Sequence, residues 1–412
     1  MLGGVAICIL GEHMGKYLRS IASLPLAVKW FLMTEMIFGL SIGIWNINLN
    51  FHLKSCGFAD LNIGSVLAFG SIATAAFSFF VGGLCDRFGF HPAMFFGCLI
   101  KGAGMSLIAL SQNPLAIYAG FAIMSLGDSL VLSSEFPFIL SLVEEKFKDM
   151  VYNLLICAYL FAYFFGNIAG GYMPGLFKGM KDVYFVPVLM SGVLFMILGA
   201  ARNLLPKNKV EYRSKKISFE MLKDSRILMF LFYGLVMSLA FNILGAMLNI
   251  IYRDGFHLED SLVGLAFSAS TGVMFLSSFL VPLMMKRWRS NNISVLVMLV
   301  NIPLLLIMAA AGVKLFLPVW LLYSFLRLAL PGTVDNRMLQ VIPKDKQGSY
   351  SGMRIFANSI GMGIGSSLAG ILLEYSNYSL VILCCAGFTF LQLLTYYFGC
   401  RKHLVVSDVN ND

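Results

Sequence analysis

The feature that most constrains the fold is a succession of long apolar segments separated by short polar ones. A helix needs about 20 mostly apolar residues to cross the hydrocarbon core of a bilayer. About twelve segments reach that length, and they lack the short alternating pattern of a membrane β-barrel. The sequence therefore predicts an all-α integral membrane protein with twelve transmembrane helices. The predicted spans are residues 28–53, 62–84, 92–112, 115–143, 151–173, 183–204, 227–252, 261–285, 293–313, 317–343, 349–374 and 379–399.

The composition excludes most classes of soluble protein. Hydrophobic residues make up 58% of the chain and charged residues only 12%, about half the charged share of a soluble domain. This excludes a soluble enzyme, a disordered chain and, despite the net charge of +9, a nucleic-acid-binding module. The chain has no metalloprotease, nucleophile-elbow or phosphate-loop motif, and its eight cysteines lack metal-ligand spacing. We therefore expect no enzymatic activity, no cofactor and no metal.

The distribution of basic residues predicts the topology. Placing both termini in the cytoplasm leaves 20 basic residues in cytoplasmic segments and 5 in outer loops, as the positive-inside rule requires. The expected location is the plasma (inner) membrane. Met14 is an alternative start, because the apolar residues 2–10 precede the nearest cations and do not form a secretory signal. The predicted parts are a cytoplasmic segment 1–24, a six-helix bundle 25–204, a cytoplasmic basic linker 205–226, a second six-helix bundle 227–400 and a cytoplasmic tail 401–412.

The two bundles share residues at a constant offset of 200 positions, which indicates an internal repeat. Parallel repeats of six helices are typical of membrane carriers, in which the substrate site lies between the halves near the bilayer midplane. We therefore expect two six-helix pseudo-repeats, complete in one chain that functions as a monomer. The matching positions are Ile63-Gly64 with Val263-Gly264, Ser78-Phe79 with Ser278-Phe279, Val81 with Val281, Arg87 with Arg287, Glu135 with Asp335, and Ala169-Gly170 with Ala369-Gly370.

The most specific motif lies between the second and third predicted spans. It reads Gly82-Gly83-Leu84-Cys85-Asp86-Arg87-Phe88-Gly89. This resembles the signature loop of the major facilitator superfamily, G-x-L-x-D-R-x-G-R/K, with Phe90 and His91 in place of the usual basic residues. The resemblance covers about residues 25–400 and implies the major facilitator fold and secondary active transport by alternating access.

The same motif implies a conformational latch at the cytoplasmic end of the helices. We expect two ion pairs at matching repeat positions, Arg87 with Glu135 and Arg287 with Asp335, that hold in one conformation and break in the other. Lys286 stands in the second half where Asp86 stands in the first, so the second latch departs from the pattern. The predicted latch residues are Gly82, Asp86, Arg87, Gly89, Glu135, Arg287 and Asp335.

Small residues cluster in the fifth and eleventh predicted spans. The fifth span ends with Gly166-Asn167-Ile168-Ala169-Gly170-Gly171, which resembles the antiporter motif G-P-x-x-G-G with Asn167 in place of proline. In that family the motif marks drug and metabolite exporters. The alternative is that the small residues only let helices pack closely. The glycines expected to pack helices are Gly166, Gly170, Gly171, Gly361 and Gly365.

Ionisable side chains inside predicted spans are candidates for function, because burying a charge in a bilayer is costly. Glu35 has no evident local partner and is the leading proton-coupling candidate. Asp128 is the second candidate, with a buried ion pair to Lys101 as the alternative, since both lie at similar depth from the turn near residue 113. Arg327 is expected either to anchor an anionic substrate group or to neutralise Glu35 or Asp128.

Four asparagines on the first and seventh spans are candidates for lining a substrate cavity. Asn46 and Asn50 are four residues apart and share a helix face, and Asn242 and Asn249 are seven residues apart. They can bind substrate, or they can form hydrogen bonds between helices. Both alternatives remain open on the sequence alone.

These observations predict a membrane transporter. The leading expectation is proton-coupled export of a small organic molecule, a drug or a metabolite, by rocking of residues 25–204 against residues 227–400. The alternatives are an uptake symporter or facilitator for a polar nutrient and, more remotely, a membrane receptor or scaffold without transport. The expected partners are the substrate, protons and the lipid bilayer, with no nucleic acid.

Overall fold

A computed structural model describes residues 21, 23–144, 147–207, 219–285, 290–327, 334, 336–342 and 347–404. Every regular element in this part of the chain is helical. The main helices are α1 Leu26–Ser55, α2 Asp60–Phe88, α3 Phe90–Leu110, α4 Pro114–Ser141, α5 Lys148–Leu176, α6 Phe185–Arg202, α7 Ser225–Gly245, α8 Asp260–Met285, α9 Ser290–Ala310, α10 Val313–Arg327, α11 Gln347–Tyr375 and α12 Tyr378–Leu394. Shorter helical turns cover Phe219–Lys223, Leu248–Ile250, Ile251–Gly255, Asn336–Val341 and Thr395–Cys400.

Among the described residues, eleven helices are long and apolar enough to cross a membrane. They correspond to eleven of the predicted spans. The tenth predicted span, 317–343, falls on α10 and the short helix Asn336–Val341, and residues 328–333 and 335 between them lie outside the described residues. The long helices also expose large apolar side chains such as Leu26, Phe80 and Leu115. Such a surface suits lipid rather than water, so the chain is a multi-pass membrane protein.

Local sequence signals explain where several helices begin. The Asn113 side chain accepts a hydrogen bond from the backbone N–H of Leu115 and is followed by proline at the first helical position of α4. Asp224 caps α7 and Asn377 caps α12 in the same way. These caps satisfy backbone donors that a helix leaves free at its N-terminus. Asn113 and Asn377 lie in short turns, which makes α3 antiparallel to α4 and α11 antiparallel to α12.

The helices of the first half (α1–α6) and of the second half (α7–α12) use the same packing partners. In the first half α1 packs on α5, and α3 packs on α4 and α6; in the second half α7 packs on α11, and α9 packs on α10 and α12. The halves meet along two helix pairs, α2 with α11 and α5 with α8. A cavity between the halves is therefore bordered by helices from both.

Two glycine crossings hold the halves close together. A Cβ atom on Gly64 would lie 2.7 Å from the carbonyl oxygen of Ser366 and 2.8 Å from the Cα of Gly370. At the equivalent crossing, a Cβ on Gly264 would lie 2.6 Å from the Asn167 oxygen and 2.8 Å from the Cα of Gly171. Only a residue without a side chain permits these backbone approaches.

These crossings correct the predicted repeat alignment. Gly171, not Gly170, occupies the position equivalent to Gly370, so the offset between α5 and α11 is 199 residues, while Gly64 and Gly264 keep the offset of 200. Gly170 packs instead against α1, beside Ile44 and the Asn48 side chain. The expected match of Ala169-Gly170 with Ala369-Gly370 was therefore wrong by one residue.

The remaining packing glycines also lie at helix contacts within each half. A Cβ on Gly166 would lie 2.5 Å from the Leu40 carbonyl oxygen of α1, and one on Gly365 would lie 2.9 Å from the Leu239 oxygen of α7. Gly361 meets the carbonyl of Leu235 on α7. Since Leu40 and Leu239 also differ by 199, α1 and α7 share the offset found for α5 and α11.

Candidate functional site

A cavity of about 610 Å³ lies between the two halves. Helices α1, α4, α7 and α10 line it, together with α2, α5, α8 and α11. Its volume falls in the usual range for small-molecule sites, about 300–1,000 Å³. Aromatic rings from both halves form much of the wall, namely Trp45, Phe121, Phe241, Phe267 and Trp320.

The four predicted asparagines all line this cavity, and their amide nitrogens bond between helices. Asn50 Nδ2 donates to Asn249 Oδ1 at 2.8 Å and to the Ala246 carbonyl at 2.8 Å. Asn249 Nδ2 donates to the Ile47 carbonyl at 3.0 Å. These bonds join α1 to the segment after α7 and close one end of the cavity. They are the interhelical bonds that the sequence left as one alternative.

The other two asparagines bond within their own halves. Asn46 Nδ2 donates to the Tyr163 hydroxyl of α5 at 3.0 Å. Asn242 Nδ2 donates to the Met362 carbonyl of α11 at 2.7 Å and to the Ser366 hydroxyl. Both residues border the cavity, and their side-chain oxygens, Oδ1, can accept a hydrogen bond from a ligand.

Charged contacts continue the closure toward the predicted outer loops. Lys54 lies 2.5 Å from Asp254, joining the two halves, and 2.9 Å from Asp60. The Tyr184 hydroxyl lies 2.9 Å from Asp260, and Arg253 donates to the same hydroxyl at 3.0 Å. We call this set, together with the Asn50–Asn249 pair, the outer closure. Every bond of the outer closure that joins the two halves of the protein must break before the cavity can open at this end.

Tyr184 lies in the loop before α6, outside the membrane-spanning helices. Burial, followed by the neighbouring charge of Asp260, raises the pKa of Tyr184 to about 12. The phenol therefore stays protonated at physiological pH and can donate to Asp260 while accepting from Arg253. It acts as a neutral bridge between a carboxylate and a guanidinium.

A second ion pair fixes the loop between α5 and α6. His52 Nδ1 lies 2.6 Å from Asp182 Oδ2, and His52 Nε2 lies 3.2 Å from the Ile108 carbonyl. Burial opposes ionisation of Asp182, but the hydrogen bonds from His52 and from the Tyr184 backbone outweigh it and lower the pKa of Asp182.

Cys56 lies beside this ion pair. Ligand atoms of His52, Cys56 and Asp182 lie within 4.8 Å of one another, a spacing that a metal ion could use. The cysteine spacing in the sequence did not predict this cluster. Both nitrogens of His52 already have protein partners, however, which explains the cluster as an ion pair.

Asp128 is the acidic side chain that reaches the cavity. Its carboxylate is 30% exposed and lies 2.6 Å from Lys101 Nζ, whose side chain is 8% exposed. The rings of Phe38 and Phe195 flank the ammonium group at 5.2 and 4.5 Å. The pair with Lys101, one of the two sequence alternatives, is therefore formed.

Glu35 has a partner that the sequence analysis missed. Arg202, the last residue of α6, is fully buried, and its Nη2 lies 2.7 Å from Glu35 Oε2 and 2.7 Å from Glu135 Oε1. Glu35 has no local partner, as predicted, but it has a distant one, since Arg202 is 167 residues away in the chain. Neither carboxylate lines the central cavity.

The predicted latch between Arg87 and Glu135 is not formed in this conformation and stays a prediction for the other one. Glu135 binds Arg202 rather than Arg87, which is exposed with its guanidinium 5.5 Å from the Phe88 ring. Gly89 takes a positive φ of 90° between α2 and α3. Gly82 and Asp86 lie within α2, and the Asp86 side chain is outside the described part. Arg287 and Asp335 also lie outside the described residues, so their predicted pair stays a prediction.

Arg327 lies in the second half and borders two cavities. It lines the central cavity and a second one of about 270 Å³, and its guanidinium packs over the Phe241 ring. Among the described residues, no carboxylate lies within ion-pair distance of it. The proposed neutralisation of Glu35 or Asp128 by Arg327 was wrong, because Arg202 and Lys101 already occupy those carboxylates.

The profile of the Major Facilitator Superfamily matches residues 31–354, more than three quarters of the chain. The chain belongs to this superfamily. Its members are transporters, so this chain is a membrane transporter rather than an enzyme. The resemblance drawn from the signature loop is confirmed.

Comparison with individual proteins gives relatives of two kinds. The chain is 25% identical over 187 residues to multidrug resistance protein MdtH of Yersinia enterocolitica and 24% identical to MdtH of Yersinia pestis. Each match covers 44% of this chain and 45% of the relative, so it spans less than half the length of these relatives. Two crystal structures of the nucleoside transporter NupG, one of them a mutant, superpose with TM-scores of 0.76 and 0.74. The first covers 90% of this chain and 99% of NupG at 14% identity, which shows the fold alone.

Proposed function

We propose that this protein is a secondary active transporter that exports a small organic molecule by alternating access, driven by protons. The observation that carries the proposal is a small-molecule-sized cavity between two halves, closed at one end by bonds that connect those halves. The MdtH relatives are named multidrug resistance proteins, which favours export of organic compounds. We further propose that the protein works as a monomer in the plasma (inner) membrane with both termini in the cytoplasm.

Alternating access requires contacts that exist in one state and break in the other. The Asn50–Asn249 and Lys54–Asp254 pairs meet that requirement, since each joins a residue of the first half to one of the second. A substrate can shift the balance between the two states only if it binds one of them more tightly. A ligand in the central cavity contacts both halves, so its contacts change whenever the halves rock.

The proton-coupling proposal rests on the charge count of the first half. Glu35, Glu135 and Asp128 are three acids, and Arg202 and Lys101 are two bases, so the ionised network carries one excess negative charge. An uncompensated charge within a membrane protein is costly, and one proton removes it. Asp128 is the member that lines the cavity, so it is the proposed entry point for that proton.

A protonated Asp128 no longer attracts Lys101 as an ion pair. The contact between α3 and α4 then weakens beside the cavity. We propose that substrate and proton compete through this change, which is the coupling an antiporter needs. Glu35 and Glu135 share one guanidinium, so either carboxylate is an alternative site for that proton.

The experiment is a proton-flux measurement in proteoliposomes with an internal pH dye and a panel of cationic, zwitterionic and anionic compounds. Export by antiport predicts substrate-driven proton movement that Asp128→Asn removes. Asp224→Asn is the matched control, because Asp224 is an exposed cap paired with Arg226 at the start of α7. Proton movement that survives in Asp128→Asn would contradict the coupling proposal.

Uptake of a polar nutrient is the second candidate function. It is favoured by the asparagine side chains in the cavity wall and by the fold shared with a nucleoside transporter. In proteoliposomes with an inward proton gradient, symport moves substrate inward and antiport moves it outward. Accumulation of substrate inside would therefore select uptake over export.

A further inference from the structure

We propose that the second cavity, beside Arg327, binds the anionic group of the transported compound, so that the protein carries an amphipathic organic anion. The proposal rests on the transport function above and names its substrate class. It follows from three features of the second half: a partly buried cation with no acidic partner among the described residues, a buried amide oxygen without a hydrogen-bond partner, and the way the two cavities adjoin.

The first feature is charge. Two charged side chains line the central cavity within the described part of the chain, Asp128 and Arg327. Asp128 is compensated by Lys101 at 2.6 Å, whereas Arg327 has no acidic partner among the described residues. With the Asp128–Lys101 pair counted as neutral, the described part of the cavity lining therefore carries one positive charge. Since a buried charge is costly unless it is paired, the missing counter-charge is the one that a ligand would supply.

The second feature is the polar wall of the second cavity. Asn301 of α9 lines it, is 2% exposed, and its Oδ1 has no hydrogen-bond partner. Two other polar side chains there already donate within the protein, Thr389 to the Cys385 carbonyl and Gln392 to the Tyr233 hydroxyl. A buried acceptor without a donor costs free energy. A hydroxyl or amide N–H next to the anionic group of a ligand would satisfy it.

The third feature is the join between the cavities. Phe241, Met274, Ser324, Arg327 and Met362 line both of them. At about 270 Å³ the second cavity suits a head group, whereas the aromatic central cavity of about 610 Å³ suits an apolar body. Arg327 stands at the boundary, where a guanidinium can bind a carboxylate through two hydrogen bonds.

The test is binding to the purified full-length protein in detergent, measured by calorimetric titration. The probes are matched on one aromatic body: indole-3-acetate, its neutral amide indole-3-acetamide, and the cation tryptamine, with a naphthalene series alongside. We expect the carboxylates to bind at least about tenfold more tightly than the amides and amines. Indole-3-lactate, which has a hydroxyl beside its carboxylate, is expected to bind more tightly than indole-3-propionate.

Variants assign the effect to the two side chains. Arg327→Gln is expected to remove the preference for carboxylates, and Arg327→Lys to keep part of it, because the lysine retains the charge but not the planar fork. Asn301→Leu is expected to remove only the advantage of the lactate. Arg401→Gln is the matched control, since Arg401 packs on Tyr397 at the end of the chain and lines neither cavity.

Each outcome decides the proposal. Equal binding of amides or amines, no binding of the carboxylates, or an unchanged preference in Arg327→Gln would overturn it. If Arg327→Gln does not fold, the lysine variant and Asn301→Leu still test it. Proton-coupled transport of cations alone would reject the anionic substrate class and keep the transport function. Carboxylate binding without transport would keep the anion site and reject the transport function.

Discussion

Replacing Arg202 by methionine tests the buried triad at the inner end of the first half. The Arg202 side chain is fully buried, and one nitrogen contacts both Glu35 and Glu135 at 2.7 Å. Removing the guanidinium leaves two carboxylates in a low-dielectric site without a counter-charge. Breaking a buried ion pair in this way costs about 3–5 kcal/mol.

The loss is large enough to measure by thermal unfolding in detergent, followed by intrinsic tryptophan fluorescence. The entropy of unfolding of a soluble protein is about 2.1 cal/mol/K per residue. Dividing the free-energy cost by this entropy for 412 residues gives a fall in Tm of about 4–6 °C. Arg401→Met is the control, because Arg401 is only partly buried and belongs to no ion pair among the described residues.

A rescue separates charge from packing. In the triple variant Glu35→Gln, Glu135→Gln and Arg202→Met, no charge remains in the site, and replacing a complete buried ion pair by neutral groups is often close to neutral in stability. Most of the lost stability should therefore return. An Arg202→Met protein as stable as the parent, or a triple variant as unstable as the single one, would refute the conclusion that Arg202 stabilises the two carboxylates by its charge.

Three further predictions address the closure and the topology. Gly264→Ala places a Cβ 2.6 Å from backbone and should open the halves and reduce transport, whereas Gly387→Ala, with no atom within 4 Å, should change neither transport nor solvent labelling of the cavity. Because the pKa of Asp182 is lowered from 3.8, its ion pair with His52 stabilises the fold above that pH and less as pH falls further. Asp182→Asn should therefore lower Tm at pH 7 and converge with the parent in acid, and a constant difference at every pH would contradict this. Cys56, which follows α1 in a predicted outer loop, should react with an impermeant maleimide from outside, and Cys56→Ser should abolish that labelling.

Much of the fold was predictable because a bilayer imposes simple rules. Helices must be apolar over about 20 residues, and eleven described helices meet the expected positions. The Lys101–Asp128 pair could also be predicted, because the turn at residue 113 puts both side chains at one depth on neighbouring antiparallel helices. Where two partners flank a short turn, counting residues is enough.

The missed contacts join helices that are distant in sequence. Glu35 and Arg202 are 167 residues apart, and their contact depends on α6 packing against α1. Arg202 lies two residues from the end of its predicted span and Glu35 lies seven residues inside its own, so counting residues along the helices does not bring the two together. The outer closure left a clearer signal, since Lys54 and Asp254 are opposite charges at the repeat offset of 200.

The two repeats differ by one residue at this closure, and the difference makes them mechanically unequal. Asn50 and Asn249 keep an offset of 199, whereas Lys54 and Asp254 stand 200 apart. The additional residue lies where the chain adopts a π-helical turn, Ile251–Gly255, which accommodates one residue more than an α-helical turn.

α1, by contrast, is one uninterrupted rod of 30 residues, about 45 Å long. The break after α7 also leaves the Ala246 carbonyl to accept a bond from Asn50. The first half therefore has a continuous helix at this position, whereas the second half has an interrupted one. In the proposed cycle we therefore expect bending to concentrate in the segment from residue 246 to residue 255, and one additional residue gives the second half a hinge that the first half lacks.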